Sequence, residues 1–149
     1  MTGTIWLLSG PNLDLLGERE PGVYGTMSLD EHVARFTELA ASFGCGVHHV
    51  QSNFEGDLVE AVHAARATAD AIVINAGALT HYSWSLRDAL AAFDGIRIEV
   101  HLSNPAARES FRQLSTLAAV VDGTIAGFGA TSYDLAAYAV RDLLGARGQ

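Results

Sequence analysis

Apolar and polar positions along this chain fall into blocks whose period changes from one block to the next. Thr4–Leu8 is a short apolar run that predicts a buried first strand. Gly10–Gly25 follows with neither a strand nor a helix period. Beyond it Leu29, Val33, Phe36, Leu39, Ala40 and Phe43 recur at helical spacing as one apolar face. Ser28 fits the N-cap of that helix, Glu31 meets capping-box spacing, and Gly44 fits its C-terminal stop. Val47–Val50 predicts a second strand, and the polar turn Ser52–Asp57 leads into a helix from Leu58 to about Thr68. Ala71–Ile74 is continuously apolar, as a central strand covered on both faces should be. A helix over about Ser83–Phe93, a strand over Ile96–Val100 and a short helical piece around Arg108–Arg112 come next. Thr124–Ala126 supplies a last strand and Ser132–Leu144 a final amphipathic helix.

Strand and helix thus alternate five times with no hairpin signature. This predicts a three-layer α/β sandwich on a five-stranded parallel sheet, with too few units for a closed barrel. A length of 149 residues sets one domain over 1–149. In open sheets of this kind ligands bind beyond the carboxyl ends of the strands. Asn12, Asn75, His81, His101 and Ser103 all fall just past predicted strand ends, so the fold gathers them into one crevice.

The stretch GPNLDLLGEREPGVYG is far longer than an ordinary strand-to-helix link. Such a segment is either disordered or a lid. Leu13, Leu15, Leu16, Val23 and Tyr24 give it apolar material to pack, which favours an active-site loop, with 17–25 as the lid and Asn12, Arg19 and Tyr24 as its reactive groups.

Composition narrows the classes. Nearly half the residues are apolar and spread along the chain, which excludes global disorder. No run is long enough to span a bilayer, and no secretion signal opens the sequence. The single Cys45 cannot form an internal disulfide, in keeping with a cytoplasmic location. The net charge is −8 and all nine basic residues are arginines with no basic block, so a nucleic-acid surface is not expected.

Candidate chemistries then fall away in turn. Pro11 removes an amide that a phosphate nest would use, and no Gly-Lys-Ser/Thr run follows. The Gly-x-Ser-x-Gly elbow is absent. His48 and His49 are adjacent and point to opposite faces of a strand, so they read as ordinary strand residues; His63 reads as a surface or packing residue. Glu99 and His101 share a strand face, but no third metal ligand accompanies them. A carboxylate fixing the tautomer of a catalytic imidazole explains that pair better than a metal does. What remains is proton transfer. Tyrosine is a strong base only once ionised, its ordinary pKa being about 10, and a neighbouring cation such as Arg19 favours the phenolate. A tyrosinate abstracting a proton beside a carbonyl, and an imidazolium protonating a leaving hydroxyl, point to β-elimination or a related enolisation. A non-catalytic module binding a small molecule or flavin stays open beside it, because fold alone does not license function.

GPNLDLLGEREPGVYG, QSNFEGDLVEAVHAA, NAGALTHYSWSLRDAL, EVHLSN followed by AARESFR, and GTIAGFG also occur together in one order. In these stretches the chain closely resembles the type II 3-dehydroquinate dehydratases, nearly end to end. The resemblance implies a flavodoxin-like fold and anti-elimination of water from 3-dehydroquinate to 3-dehydroshikimate through an enolate, with no cofactor or metal. It implies Tyr24 as the base, Arg19 as the lid residue that favours its ionised form, and Asn12 as the holder of a water on the enolate oxygen. His101 is the implied general acid, oriented by Glu99. Asn75, Ser103 and the amide of Leu102 take the substrate carboxylate, and His81 and Arg112 its ring hydroxyls. Asp88 corresponds to a residue that reaches a neighbour's site across a trimer interface, four trimers forming a dodecamer.

The departures from the family pattern replace none of those residues. Ala106 and Leu114 stand where the family commonly has histidine, Gly129–Tyr133 reads Gly-Ala-Thr-Ser-Tyr in place of Gly-Ile-Gln-Gly-Tyr, and Leu79 replaces a frequent aromatic or glycine. They bear on packing, on assembly and on a paralogue acting on a related hydroxy-keto acid.

Overall fold

The computed structural model describes residues 2–148. Five parallel strands form the sheet: β1 (Gly3–Ser9), β2 (Cys45–Gln51), β3 (Ala71–Asn75), β4 (Ile96–His101) and β5 (Gly123–Ala126), in the order β2-β1-β3-β4-β5. The chain winds outward from β1 to β2, then returns to the other side for β3. The order therefore reverses between β1 and β3, the position at which open α/β sheets form a crevice.

The helices are α1 (Pro21–Tyr24), α2 (Leu29–Ser42), α3 (Glu55–Thr68), α4 (Trp84–Ala91) and α5 (Ala130–Arg147). Side chains alternate across each strand, and both faces are covered. Ile5, Leu7, Val73, Ile98 and Val100 pack with Phe36 and Ala40 of α2 and Ala136 and Val140 of α5. Leu8, Ile72 and Ile74 face the opposite layer, with Leu58 and Val62 of α3 and Leu86 and Leu90 of α4. Each fully buried Val, Leu, Ile or Phe among them contributes roughly 1.5–3 kcal/mol by leaving water. These two layers make the predicted flavodoxin-like sandwich.

Local signals act where the sequence placed them. The Ser28 hydroxyl accepts the Glu31 amide at 3.2 Å and donates to the Glu31 carboxylate at 3.3 Å, which satisfies the start of α2. Gly44, at φ 87°, turns the chain out of α2 in a conformation that costs glycine little. Boundaries differ from expectation at several elements: β2 begins at Cys45, α4 ends at Ala91, and α5 runs over Ala130–Arg147. The start of α3 lies at Glu55, because the acidic Glu55 and Asp57 suit a first turn. The piece around Arg108–Arg112 is two 3₁₀ turns, Pro105–Ala107 and Ser110–Gln113, with Arg108 itself extended between them.

His48 stacks against Trp6, and His49 shares a hydrogen bond with Ser9 Oγ at 2.9 Å, so both are packing residues of β2. His32 of α2 is buried beside the Tyr133 ring, and neither of its ring nitrogens has a hydrogen-bond partner. Burial lowers the pKa of His32, helped by Arg35, and burial likewise lowers that of His49. In the unfolded chain both titrate near their ordinary value of about 6.5. The unfolded state therefore binds more protons from about pH 6.5 down to the lowered folded values, so stability is full above this window and is lost as pH falls through it. Thermal unfolding followed from about pH 7.5 to pH 5 should show that decline, and His32→Leu should flatten it. A decline equally steep in His32→Leu would assign the acid sensitivity to other groups.

Candidate active site

The 10–25 segment is ordered by its own side chains. Leu13 and Leu16 are buried and anchor a 3₁₀ turn over Leu13–Leu15, whereas Leu15 and Val23 stay exposed. Gly10 makes this possible. A Cβ there would lie 2.3 Å from the Ala76 carbonyl oxygen, and the Gly10 amide donates to the Asn75 carbonyl at 2.8 Å. Only glycine lets the ends of β1 and β3 approach this closely. Asn12 follows in the left-handed region, at φ 68°, a conformation asparagine tolerates better than most residues. Its amide donates to Asn53 Oδ1 at 2.9 Å, and Gln51 reaches both Gly10 and Asn53, so the end of β2 braces the turn.

Asn12, Arg19, Tyr24, Asn75, His81, His101, Leu102, Ser103 and Arg112 line one cavity beyond the strand ends. The five residues expected just past the strand ends, Asn12, Asn75, His81, His101 and Ser103, thus come together, and Arg19, Tyr24, Leu102 and Arg112 join them. Glu99 lies behind His101 and Asp88 lies elsewhere, exposed on α4 and paired with Arg87 at 3.2 Å. Among the described residues no three His, Cys, Asp or Glu side chains converge as metal ligands.

His101 is buried, and its Nε2–H donates to Glu99 Oε2 at 2.6 Å. The other carboxylate oxygen, Oε1, accepts the Ser115 hydroxyl at 2.8 Å. With Nε2 committed, Nδ1 is the nitrogen left for chemistry, and the carboxylate stabilises the ring when Nδ1 is also protonated. His81 is fixed from the other direction. Its Nδ1–H donates to the Leu114 carbonyl at 2.6 Å, which leaves Nε2 as an acceptor in the neutral ring.

Tyr24 closes α1, and Glu20, at φ 40°, precedes it. Two guanidinium carbons lie near its ring centroid, Arg19 at 5.0 Å and Arg108 at 5.1 Å. Both guanidiniums therefore make cation–π contacts with the Tyr24 ring. Arg108 was not among the sequence-derived site residues, nor was Ser115, nor Tyr133, whose hydroxyl accepts Asn75 Nδ2 at 3.3 Å. Burial pushes the Tyr133 phenol up to about 12, so it remains a neutral brace for Asn75.

The chain matches the family described as dehydroquinase class II over residues 3–141. The chain belongs to this family. It is 50% identical over 141 residues to the 3-dehydroquinate dehydratase of Pelotomaculum thermopropionicum, covering 95% of this chain and 98% of the relative. It is 51% identical over 145 residues to that of Roseiflexus castenholzii, covering 97% and 90%. The crystal structure of the type II dehydroquinase from Propionibacterium acnes superposes with a TM-score of 0.90 at 41% identity, over 95% of this chain and 98% of that one.

Proposed function

We propose that the chain dehydrates 3-dehydroquinate to 3-dehydroshikimate through an enolate. The observation that carries this reading is one cavity lined by both a tyrosine bracketed by two guanidiniums and a carboxylate-backed histidine, in a chain of this family. Tyr24, as phenolate, takes the proton from the carbon next to the ketone, and the electron pair moves onto the ketone oxygen. The enolate then re-forms the carbonyl and a carbon–carbon double bond while the hydroxyl leaves, protonated by His101 at Nδ1 as water. The chain contains no lysine, so a lysine imine does not enter the cycle.

Asn12 holds a water on the enolate oxygen. Asn75, Ser103 and the Leu102 amide take the carboxylate, and His81 and Arg112 the ring hydroxyls, His81 accepting through Nε2. The space open to water-sized groups in the cavity is about 50 Å³, less than a drug-sized ligand occupies. Residues 17–25 therefore act as a lid that opens to admit substrate, within one catalytic unit over 1–149. We place the enzyme in the cytoplasm, in keeping with the free, buried Cys45. Among the described residues no helix is long and apolar enough to cross a membrane.

The direct test mixes purified protein with 3-dehydroquinate and follows the ultraviolet absorbance of the conjugated enone. A steady rise is expected at neutral to mildly alkaline pH. Folded protein that gives no rise refutes the reading.

We also propose assembly into trimers, four of which close a dodecamer. Tyr82 and Trp84 are 60% and 62% exposed at the start of α4, next to exposed Asp88, and large aromatics of this exposure mark interaction surfaces. Asp88→Ala should lower activity about tenfold, the scale of one lost charge-assisted contact. It should also shift sedimentation toward smaller species at low concentration. A fully active monomer of the unsubstituted chain would end the shared-site argument, whereas an active trimer would discard only the dodecamer.

A further inference from the structure

A second cleft, of about 480 Å³, lies behind the lid between α1, the start of α2, the segment after β4 and the β5–α5 turn. It shares Tyr24, Leu102, Ser103 and Arg108 with the catalytic cavity. Its walls are apolar at Val23, Met27, Leu102 and Ala130. None of its fourteen lining residues is acidic, in a chain that carries seventeen acidic residues.

Three features of that cleft favour a negative group with an apolar body. Arg108 supplies a guanidinium. Gly129 and Ala130 bring the start of the eighteen-residue α5 to the wall; the Ser132 amide there already donates to the Gly129 carbonyl at 3.0 Å, which leaves the Ala130 and Thr131 amides to face a ligand. His32 closes the inner side, 97% buried, with both ring nitrogens lacking a hydrogen-bond partner. A buried polar group without a partner calls for a specific explanation, and a bound acceptor would supply one to the N–H that a neutral imidazole carries. The carboxylates nearest His32 leave this opening free: Asp134 is engaged by Arg35, and Glu31 by Ser28.

We propose that this cleft binds a small organic monocarboxylate with an apolar ring, and that its occupancy holds the lid and so slows turnover. The carboxylate meets Arg108, the α5 amides and His32, while the ring lies against Met27, Val23 and Ala130. A ligand seated there contacts the back of Tyr24, which links the cleft to the lid. The binding claim stands apart from the proposed reaction, whereas its effect on turnover rests on that reading.

Benzoate is the probe, with benzamide as its uncharged control. Met27 is one of only two methionines, so protein labelled with ¹³C-methyl methionine reports on the cleft, the signal being identified by its loss in Met27→Leu. Benzoate should move the Met27 signal saturably and benzamide should not. Ala130→Leu, which fills the wall, should raise the half-saturating benzoate concentration about tenfold or more while leaving 3-dehydroquinate turnover in place. Ala107→Leu, also on the cleft wall, serves if that variant does not fold. Benzoate should lower kcat with little change in KM, in step with the Met27 titration.

A Met27 signal that does not respond, or responds equally to benzamide, would overturn the proposal. So would saturation unaffected by both filling variants. Inhibition that 3-dehydroquinate fully relieves would place benzoate in the catalytic cavity and overturn it as well. These binding readouts need no catalysis, so an inactive protein would refute the proposed reaction without deciding the cleft.

Discussion

Tyr24→Phe is expected to depress severely both dehydration and exchange of the substrate's α-proton with solvent. Only one oxygen is lost and the ring keeps its volume. The contacts of Arg19 and Arg108 with that ring, at 5.0 and 5.1 Å, depend on its face and survive the change. Substrate binding should therefore change by less than about threefold, while turnover falls by about 10²–10⁴, the range for removing a general base. In deuterium oxide, label should enter recovered 3-dehydroquinate at least about 10²-fold more slowly than with the unsubstituted enzyme. Retained exchange in Tyr24→Phe would name a different base. Arg19→Ala should also lower turnover, through a distinct route. Arg19 makes one 3.8 Å contact with Glu20, and both side chains are partly exposed, so that pair is weak and leaves the guanidinium available to the phenolate. Arg108 still stands on the Tyr24 ring in that variant, so Arg19→Ala should retain more activity than Arg19→Ala combined with Arg108→Ala.

The strand ends were the most legible part of this chain. Apolar runs such as Ala71–Ile74 locate strands because a parallel strand buries both faces. The sheet topology then converts scattered residues into one cavity without any local motif. Glu99 and His101 were legible as a pair because strand period places them on one face, and they meet at 2.6 Å. Arg108 was not, because it lies in an extended break between two 3₁₀ turns and reaches a tyrosine 84 positions earlier. No period or spacing encodes such a contact. Ser115 was missed for the same reason, since its bond to Glu99 joins a loop to a strand. His32 shows a different limit. The helical face read from Leu29, Val33, Phe36 and Ala40 leaves it out, yet α2 packs on both the sheet and α5, so the buried arc is wide enough to include it. The α3 boundary moved because acidic residues read as a turn also suit a first helical turn.

His101→Ala and Glu99→Gln should separate the two halves of the reaction that Tyr24→Phe removes together. The general acid is needed only when the hydroxyl leaves, so its loss does not prevent Tyr24 from removing the α-proton. His101→Ala should lower dehydration by about 10²–10⁴. Recovered 3-dehydroquinate should nevertheless gain deuterium, because an enolate that cannot expel its hydroxyl is reprotonated by the group that formed it. Glu99→Gln keeps the volume and a possible bond to His101 but removes the charge that stabilises the imidazolium. The amide can also donate to Nε2, which would place the ring proton on Nδ1 in a neutral, weakly acidic ring. Dehydration should fall by about 10²-fold or more, with exchange again retained and KM nearly unchanged. Ser115→Ala removes one of the two bonds that orient the Glu99 carboxylate and should cost less, about threefold to tenfold, the scale of one buried hydrogen bond. Loss of exchange in His101→Ala, measured on protein that still binds substrate, would mean that proton abstraction and hydroxyl loss are one concerted step. The enolate would then have to be abandoned, although both residues would keep their assigned ends of the elimination.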